Sequence, residues 1–413
     1  MSRELRELKT LEEARRVLLA ALPPRLRQGR FPGRPTDLAA AVGHPLADPI
    51  TAPADLPPFD RSLVDGYAVR AADTFGASEG LPAYLELAGE VPMGAPAEVP
   101  LSANQCARIR TGGMLPPYAD AVVMVEHTQP WGERSVEVLR PVAPGANVVR
   151  RGDDARAGDA ILPAGHRLRP RDISALAGLG FAQVSVARPR VAVLSTGDEL
   201  VPPTASPAPG QVRDMNGPAL RAAAAALGAG VLDLGIVPDE RAALHRALAR
   251  GVEEADIVLV SGGTSVGAED LVPEVIEDLG PPGVIIHGLA LRPGKPAVVG
   301  LAGETPIFGL PGNPTSCLII FRELVAPLLR SAAADPAPPL VHARLTRNLS
   351  SQAGRAEFVP VRLEQRDGDT VAVPLLGPSA LILTLVRADG VIRIPEAAEG
   401  LEAGELVTVE PLE

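Results

Sequence analysis

The segment between residues 190 and 329 constrains the fold most, because short apolar runs and helical stretches alternate regularly along it. Runs such as 191–194 and 257–260 have the length of buried strands, and 217–227 is an alanine-rich helical stretch. This alternation predicts βαβ units around a mostly parallel sheet. Ligands of such sheets bind beyond the carboxyl ends of the strands, so the residues that follow each apolar run are the first functional candidates.

The composition favours a folded protein of several domains. The chain has 413 residues, which suggests two to four domains, and 46% of them are hydrophobic. A net charge of -11 argues against a general nucleic-acid or membrane-surface binder. The start of the chain lacks an apolar leader and no run is long enough to span a bilayer. Cys106 and Cys317 lie far apart and form neither a disulfide nor a zinc pattern, so we expect a cytoplasmic protein.

Changes in pattern along the chain predict a multidomain α/β protein with four parts. Residues 189–331 form the parallel α/β sheet domain, and 60–140, with short strands between Gly/Pro turns, form a β-rich domain. A linker of alanine and proline precedes a small C-terminal β-barrel within 332–413. Residues 1–59 and 141–188 then remain as a discontinuous linker domain of helical and extended segments.

Acidic side chains follow several predicted strands of the α/β domain. Glu199 and Asp239 follow the first two, and Asp270 ends the segment SGGTSVGAED after the third. Carboxylates beside a bound phosphate repel it unless a cation lies between them, and Mg²⁺ binds through one or two carboxylates plus phosphate oxygens. The pattern therefore predicts a magnesium site made by these three acids, although any single acid in such a position more often caps a helix.

The same loops supply candidates for phosphate and substrate binding. Glycines in SGGTSVGAED let backbone N–H groups approach an oxyanion, although a tight turn explains such a loop equally well. Lys9 and Lys295 are the lysines among 39 basic residues, so a lysine inside PGKP indicates a function rather than the survival of a surface residue. The predicted binding residues are Ser261, Gly262, Gly263, Ser265, Gly267, Arg292, Lys295, Pro311, Gly312 and Asn313.

Eight motifs in order resemble those of the molybdopterin molybdenumtransferase family, which includes bacterial MoeA and the E domain of gephyrin. The resemblance covers nearly the whole chain. The matching stretches are PPFDRSLVDGYAVRAAD (57–73), RIRTGGMLPPYADAVVMVE (108–126), RRGDDARAGD (150–159), STGDEL (195–200), RDMN (213–216), SGGTSVGAED (261–270), LRPGKP (291–296) and GLPGNPTS (309–316). Departures from the family pattern are Gly113, Tyr118, Arg292 and Gly288, where the family usually has alanine, glycine, lysine and a basic residue.

The resemblance implies a molybdopterin-binding type of α/β domain and a specific reaction. Members insert molybdenum from molybdate into adenylylated molybdopterin and release AMP, they require Mg²⁺, and they are homodimers with a cleft shared between subunits. Carried over to this chain, the cleft residues are Asp65, Thr111, Asp154, Glu199, Asp239 and Asp270. The residues alone favour a hairpin turn for Asp65-Gly66.

Two other functions have a basis in the same resemblance. One is a molybdopterin adenylyltransferase, which acts one step earlier and resembles residues 190–330 alone. The other is a gephyrin-like scaffold. The N-terminal 180 residues and the C-terminal barrel argue against the first, and the full set of cleft acids argues against the second. Molybdopterin adenylyltransferase is also an expected partner.

Overall fold

The computed structural model describes residues 8–264, 271–333, 338–366 and 368–412, in two compact units. The larger unit comprises the described residues of Met1–Arg34, Gly43–Ala47 and Ser185–Glu413, and the smaller one comprises Pro35–Val42 and Asp48–Val184. The boundaries of the four predicted domains stay a prediction. The helices are α1 Leu11–Ala21, α2 Pro24–Arg27, α3 Leu38–Ala41, α4 Pro170–Gly178, α5 Asn216–Ala226, α6 Arg241–Glu254, α7 Leu271–Asp278, α8 Pro314–Ile320, α9 Ala326–Ala333 and α10 Ile382–Val386.

The smaller unit contains a six-stranded sheet. Its strands are β1 Gly66–Val69, β2 Ala83–Glu90, β3 Gln105–Ile109, β4 Ala121–Met124, β5 Thr128–Trp131 and β6 Ser135–Val138. They lie in the order β4-β1-β3-β2-β6-β5. Gly66 lies where β1 and β4 approach so closely that a Cβ would stand 1.9 Å from the carbonyl oxygen of Val123. Only glycine fits there, so the Asp65-Gly66 pair is set by strand packing and by what Asp65 itself binds.

The larger unit is built around the predicted α/β sheet. Its strands are β7 Arg190–Thr196, β8 Gly230–Val237, β9 Ile257–Ser261, β10 Pro282–His287, β11 Val298–Ala302 and β12 Thr305–Leu310. The order is β8-β7-β9-β12-β11-β10, and every strand except β11 runs in the same direction. The mostly parallel sheet is thus confirmed, with β11 as an antiparallel insertion that the apolar runs did not reveal. The carboxyl ends of the five parallel strands share one edge.

Alternating residues of β7 explain why this sheet is covered on both faces. Val191 and Val193 pack into one core together with α1, α5 and α8, while Ala192 and Leu194 pack into a second core with α6 and α7. All four side chains are at most 1% exposed. A run without polar alternation is what a strand buried on both faces requires. Each large buried side chain of this kind contributes roughly 1.5–3 kcal/mol.

The C-terminal part of the larger unit is a closed five-stranded barrel, as predicted. Its strands are β13 Val341–Leu345, β14 Ala356–Arg366, β15 Asp369–Pro374, β16 Gly390–Ile394 and β17 Leu406–Pro411. The order β14-β15-β13-β17-β16 closes through pairing of β16 with β14. The two-residue strand Leu291–Arg292, which follows β10, pairs in parallel with the start of β14. The loop beyond β10 is therefore fixed to the barrel.

Short elements complete the description. The helix after β12 continues through a π-helical turn, Phe321–Val325, before α9. Within the described ranges, no helix is long and apolar enough to cross a membrane. The remaining short strands and 3-10 turns are Gly33–Asp37, Ile50–Thr51, Arg61–Ser62, Ala71–Thr74, Val125–His127, Val148–Val149, Ala160–Leu162, Gln183–Ala187, Leu200–Val201, Val212–Arg213, Leu349–Ser350 and Gly400–Leu401.

Candidate functional site

The acids predicted at the first two strand ends lie on adjacent strands. β7 ends at Thr196, and Asp239 follows the end of β8. The hydroxyl of Thr196 donates a hydrogen bond to Oδ1 of Asp239 at 2.6 Å. The backbone N–H of Asp239 donates in turn to Oδ1 of Asp198 at 3.1 Å. The Glu199 carboxylate folds back over Gly197, where a Cβ would meet Oε2 at 2.6 Å. Glu199 and Asp239 are both exposed, so their free carboxylate oxygens face solvent at the same edge of the sheet.

These carboxylates suit a hard cation. Carboxylate oxygens are the protein ligands that Mg²⁺ prefers, and the ion normally uses only one or two of them together with phosphate oxygens. Among the described residues, no group of three or more acidic, histidine or cysteine side chains is arranged to hold a metal by itself. Asp270, the third predicted ligand, lies outside the described residues. Glu199 and Asp239 are thus the two predicted ligands that the structure describes, and both carry a carboxylate of the kind that such an ion prefers.

The glycine turn after β9 has the bare backbone that the sequence predicts. Gly262 and Gly263 have φ values of 97° and 62°, which L-residues rarely adopt. A Cβ on Gly262 would lie 2.2 Å from the carbonyl oxygen of Thr196. The N–H of Gly262 donates a hydrogen bond to the carbonyl oxygen of Leu310 at 3.0 Å, which joins this turn to the end of β12. Ser265 and Gly267 lie outside the described residues.

A large cavity lies between the loops beyond β10 and β12 and the C-terminal barrel. Its volume is about 920 Å³, and four predicted residues line it: Arg292, Lys295, Pro311 and Asn313. The side chain of Asn313 donates to the hydroxyl of Ser379 at 3.1 Å, which fastens the loop after β12 to the barrel segment. The cavity thus brings together two loops that the sequence placed at one edge of the sheet.

The charges around this cavity are mainly positive although the protein is acidic. Its charged lining consists of Arg292, Lys295 and Arg355 against Glu357 alone. Arg292 forms an ion pair with Glu357 at 3.4 Å. Lys295 and Arg355 form no ion pair with a carboxylate of the described residues. The buried atoms Nε of Arg355 and Oγ1 of Thr315 have no hydrogen-bond partner in the described part of the protein. Unsatisfied buried donors beside two cations suit an oxyanion ligand.

Sequence reasoning missed the barrel side of this cavity. Arg355 and Ser379 belong to none of the motifs named above, whereas Thr315 lies in GLPGNPTS at the start of α8 but is not among the predicted binding residues. Arginine occupies 37 positions of the chain, so Arg355 carries no compositional signal of the kind that identified Lys295. Only the closure of the barrel beside the α/β loops brings these residues together.

The smaller unit brings Asp65 and Thr111 together. Both the backbone N–H and the hydroxyl of Thr111 donate to Oδ1 of Asp65, at 2.7 and 2.9 Å. These bonds, helped by the nearby guanidinium groups of Arg110 and Arg108, lower the pKa of Asp65. Asp65 is therefore ionised at neutral pH and suits charge binding rather than proton donation. Asp154 lies in the same unit on an exposed turn, where its N–H donates to Leu56 at 3.0 Å.

The remaining predicted residues have structural contacts. The side chain of Ser261 is 2% exposed, and its hydroxyl accepts a hydrogen bond from Asn216. The carbonyl oxygen of Gly312 accepts a second bond from the same amide.

Burial raises the pKa of the Cys106 and Cys317 thiols to about 12, so both are neutral and unsuited to nucleophilic or metal chemistry.

Known proteins similar to this chain match it over most of its length. A putative molybdopterin biosynthesis protein of Methanocaldococcus jannaschii is 34% identical and covers 98% of each chain. Molybdopterin molybdenumtransferase 2 of Mycobacterium tuberculosis is 36% identical over 90% of this chain and 93% of its own length. The crystal structure of a molybdopterin biosynthesis MoeA protein from Pyrococcus horikoshii superimposes with a TM-score of 0.71 at 37% identity, covering 98% of this chain and 99% of that one.

An open α/β sheet with a glycine turn and acids on one edge, beside a cation-lined cavity, defines the class of α/β proteins that bind phosphate-bearing ligands. Three family models then match in chain order: the MoeA N-terminal region (domains I and II) at 9–180, a probable molybdopterin binding domain at 192–331, and the MoeA C-terminal region (domain IV) at 342–412. The chain belongs to the MoeA family of molybdopterin molybdenumtransferases.

Proposed function

We propose that this protein inserts molybdenum from molybdate into adenylylated molybdopterin and releases AMP, which completes molybdenum cofactor biosynthesis. The single observation that carries the proposal is the cavity lined by Lys295 and Arg355, which adjoins the loops at the acid-bearing edge of the sheet. One region offers cations for an oxyanion, and the other offers carboxylates for a metal-bound phosphate. A reaction that combines molybdate with a nucleotide-linked pterin needs both.

The carboxylates have the first role in this reaction. Glu199 and Asp239 would hold Mg²⁺ beside the phosphate groups of the bound substrate. When bound, the ion neutralises the negative charge that develops on the phosphate oxygens. Thr196 and Asp198 orient Asp239 through its Oδ1 and its backbone N–H, and no described residue bonds its other carboxylate oxygen, which could therefore hold the ion. The glycine turn at Gly262-Gly263 admits the substrate close to the backbone.

The cavity has the second role. Molybdate is a dianion, and a site with three cations against one carboxylate attracts it in spite of the net charge of -11. Lys295 supplies a point charge, and Arg355 has a buried Nε donor still without a partner in the described residues. Thr315 adds a buried hydroxyl. These groups would hold molybdate beside the pterin.

A direct assay tests the reaction. The purified protein is mixed with preformed adenylylated molybdopterin, molybdate and Mg²⁺, and AMP and pterin-bound molybdenum are measured. We expect AMP to appear in step with molybdenum incorporation. A second reaction with molybdopterin and ATP is the control. Adenylate formation there, without AMP release in the first reaction, would show an adenylyltransferase and refute the proposal.

We further propose a cytoplasmic homodimer whose cleft takes Asp65, Thr111 and Asp154 from one subunit and Glu199 and Asp239 from the other. The free thiols Cys106 and Cys317 suit a reducing compartment. Molybdopterin adenylyltransferase, whose product is the substrate here, is the proposed protein partner. Dimerisation and the shared cleft rest on the family resemblance together with the exposed, ionised carboxylate of Asp65.

Mixing two inactive variants tests the shared cleft. Asp65→Asn and Glu199→Gln proteins are denatured together and refolded at equal amounts. Half of the dimers then carry both changes, and each has one intact cleft, so about a quarter of the wild-type activity should return. Refolding either variant alone is the control. A mixture as inactive as its components would contradict the shared cleft.

A further inference from the structure

The segment RDMN, residues 213–216, contacts the ends of three neighbouring strands and has no role yet in the reaction. It leads into α5, and its Asp214 and Asn216 are only 6% and 8% exposed. Buried polar side chains in such a position need partners. Their partners are Ser195 near the end of β7, Ser261 at the end of β9, Gly312 in the turn after β12, and the N–H of Gly217.

Asn216 bonds two of these strand ends with a single atom. Its Nδ2 donates to the hydroxyl of Ser261, the last residue of β9, at 2.7 Å. The same Nδ2 donates to the carbonyl oxygen of Gly312, in the turn after β12, at 2.8 Å. β9 and β12 are neighbours in the sheet. We call these three residues, Asn216, Ser261 and Gly312, the strand-end clamp.

Asp214 fixes the third strand end. Its Oδ2 accepts a hydrogen bond from the hydroxyl of Ser195 in β7 at 2.9 Å, and its Oδ1 accepts one from the N–H of Gly217 at 3.0 Å. A Cβ on Gly217 would lie 2.4 Å from Oδ2 of Asp214. The start of α5 is therefore packed tightly against β7, which gives the amide of Asn216 a fixed place.

The chemistry of the clamp requires an amide. Both hydrogens of Nδ2 are used, one for a hydroxyl oxygen and one for a carbonyl oxygen. A carboxylate of the same shape would place an oxygen against the carbonyl of Gly312 and repel it. Alanine would leave both buried acceptors without this donor, and a buried acceptor that loses its donor destabilises the fold. Asparagine is the residue of this size that supplies two donors from one atom.

We infer that Asn216 is a positioning residue for the reaction proposed above, on which this inference rests. The clamp adds a side-chain link between the glycine turn at Gly262-Gly263 and the turn at residues 311–313, beyond the last paired residues of β9 and β12. Pro311 and Asn313 line the oxyanion cavity, whereas the glycine turn lies at the carboxylate edge. Asn216 thus holds the phosphate end and the molybdate end of the site in register without touching either substrate.

The test compares two variants that each disturb two buried hydrogen bonds. Asn216→Asp changes the clamp. Thr74→Val is the matched control, because Thr74 is fully buried in the smaller unit, donates to Ala71 at 2.7 Å and accepts from Val142 at 3.0 Å. Melting temperature, AMP release kinetics and hydrogen exchange of the peptides covering 257–264 and 306–313 are measured for both.

Asn216→Asp should lower kcat by about 10- to 100-fold with KM for the adenylylated substrate changed less than about threefold, because each turn still binds its own part of the substrate. Exchange in the two peptides should rise by on the order of tenfold. Thr74→Val should lower the melting temperature without either effect. Unchanged exchange and kcat in Asn216→Asp, or an equal loss of kcat in the control, would overturn the inference. If the wild-type protein released no AMP, the proposed reaction itself would be refuted. Hydrogen exchange of the two peptides in Asn216→Asp would still show whether the clamp holds the two turns together.

Discussion

Replacing Glu199 with Gln, or Asp239 with Asn, should reduce AMP release by about 10²- to 10³-fold, the loss typical when one group that stabilises transition-state charge is removed. Each change removes one negative charge and keeps the shape of the side chain. The edge of the sheet would then lose a ligand for Mg²⁺, and the phosphate bridge would face the remaining acids with less compensation. Both side chains are exposed, so the fold should be unaffected.

Glu240→Gln is the matched control for this prediction. Glu240 is adjacent to Asp239, is also exposed, and precedes α6 with no cap hydrogen bond from its side chain. Its activity should equal that of the wild type. Rates are measured at saturating molybdate with increasing Mg²⁺, where a lost ligand raises the Mg²⁺ requirement. If Glu199→Gln and Asp239→Asn both had rates within about twofold of the wild type, the proposed role of these acids would be contradicted.

Removing Lys295 or Arg355, the cavity cations without a carboxylate partner among the described residues, should give the second large effect. In Lys295→Ala and Arg355→Ala, the molybdate concentration for half-maximal rate should rise about 10- to 100-fold, since a hydrogen bond to a charged group contributes about 1.5–3 kcal/mol. The double variant should lose still more. Mg²⁺ dependence should stay as in the wild type, because the carboxylates lie at a different part of the site.

Arg362→Ala is the control for the cavity variants. Arg362 lies on β14 of the same barrel and is paired with Glu364, with Nε 3.0 Å from Oε1. The Arg362→Ala variant removes one positive charge outside the cavity, as Lys295→Ala does inside it, and should leave the molybdate dependence of the rate unchanged. If it weakened molybdate use as much as Lys295→Ala does, only the overall charge of the barrel would matter, and the cavity would not be the oxyanion site.

The sequence allowed the fold to be predicted in outline because its strands are buried on both faces. A run such as 257–260 can be recognised without neighbours, since burial on two faces demands an unbroken apolar stretch. β11 is not among the predicted strands. Its antiparallel direction could not be predicted from its apolar composition, because the direction depends on its pairing with β10 and β12. Tyr118 stands where the family usually has glycine, and its φ of 67° is the left-handed conformation that glycine adopts most readily.

The site could be predicted where its residues belong to the strand ends, and not where the barrel contributes. Glu199, Asp239 and Lys295 follow strands of one sheet, so their place in the chain gives their place in the fold. Arg355 reaches the cavity only because β14 pairs with Leu291–Arg292. Asn216 belongs to the motif RDMN, but the motif does not indicate what its side chain binds, and only its two acceptors reveal the clamp.

The most direct test of the account is a crystal structure of the protein with AMP, Mg²⁺ and molybdate, with molybdenum located by its anomalous scattering. The account predicts the AMP phosphate and Mg²⁺ at the edge formed by Glu199, Asp239 and the glycine turn, with molybdenum in the cavity beside Lys295 and Arg355. An empty edge in a crystal that binds AMP elsewhere, or molybdenum away from both cations, would contradict it.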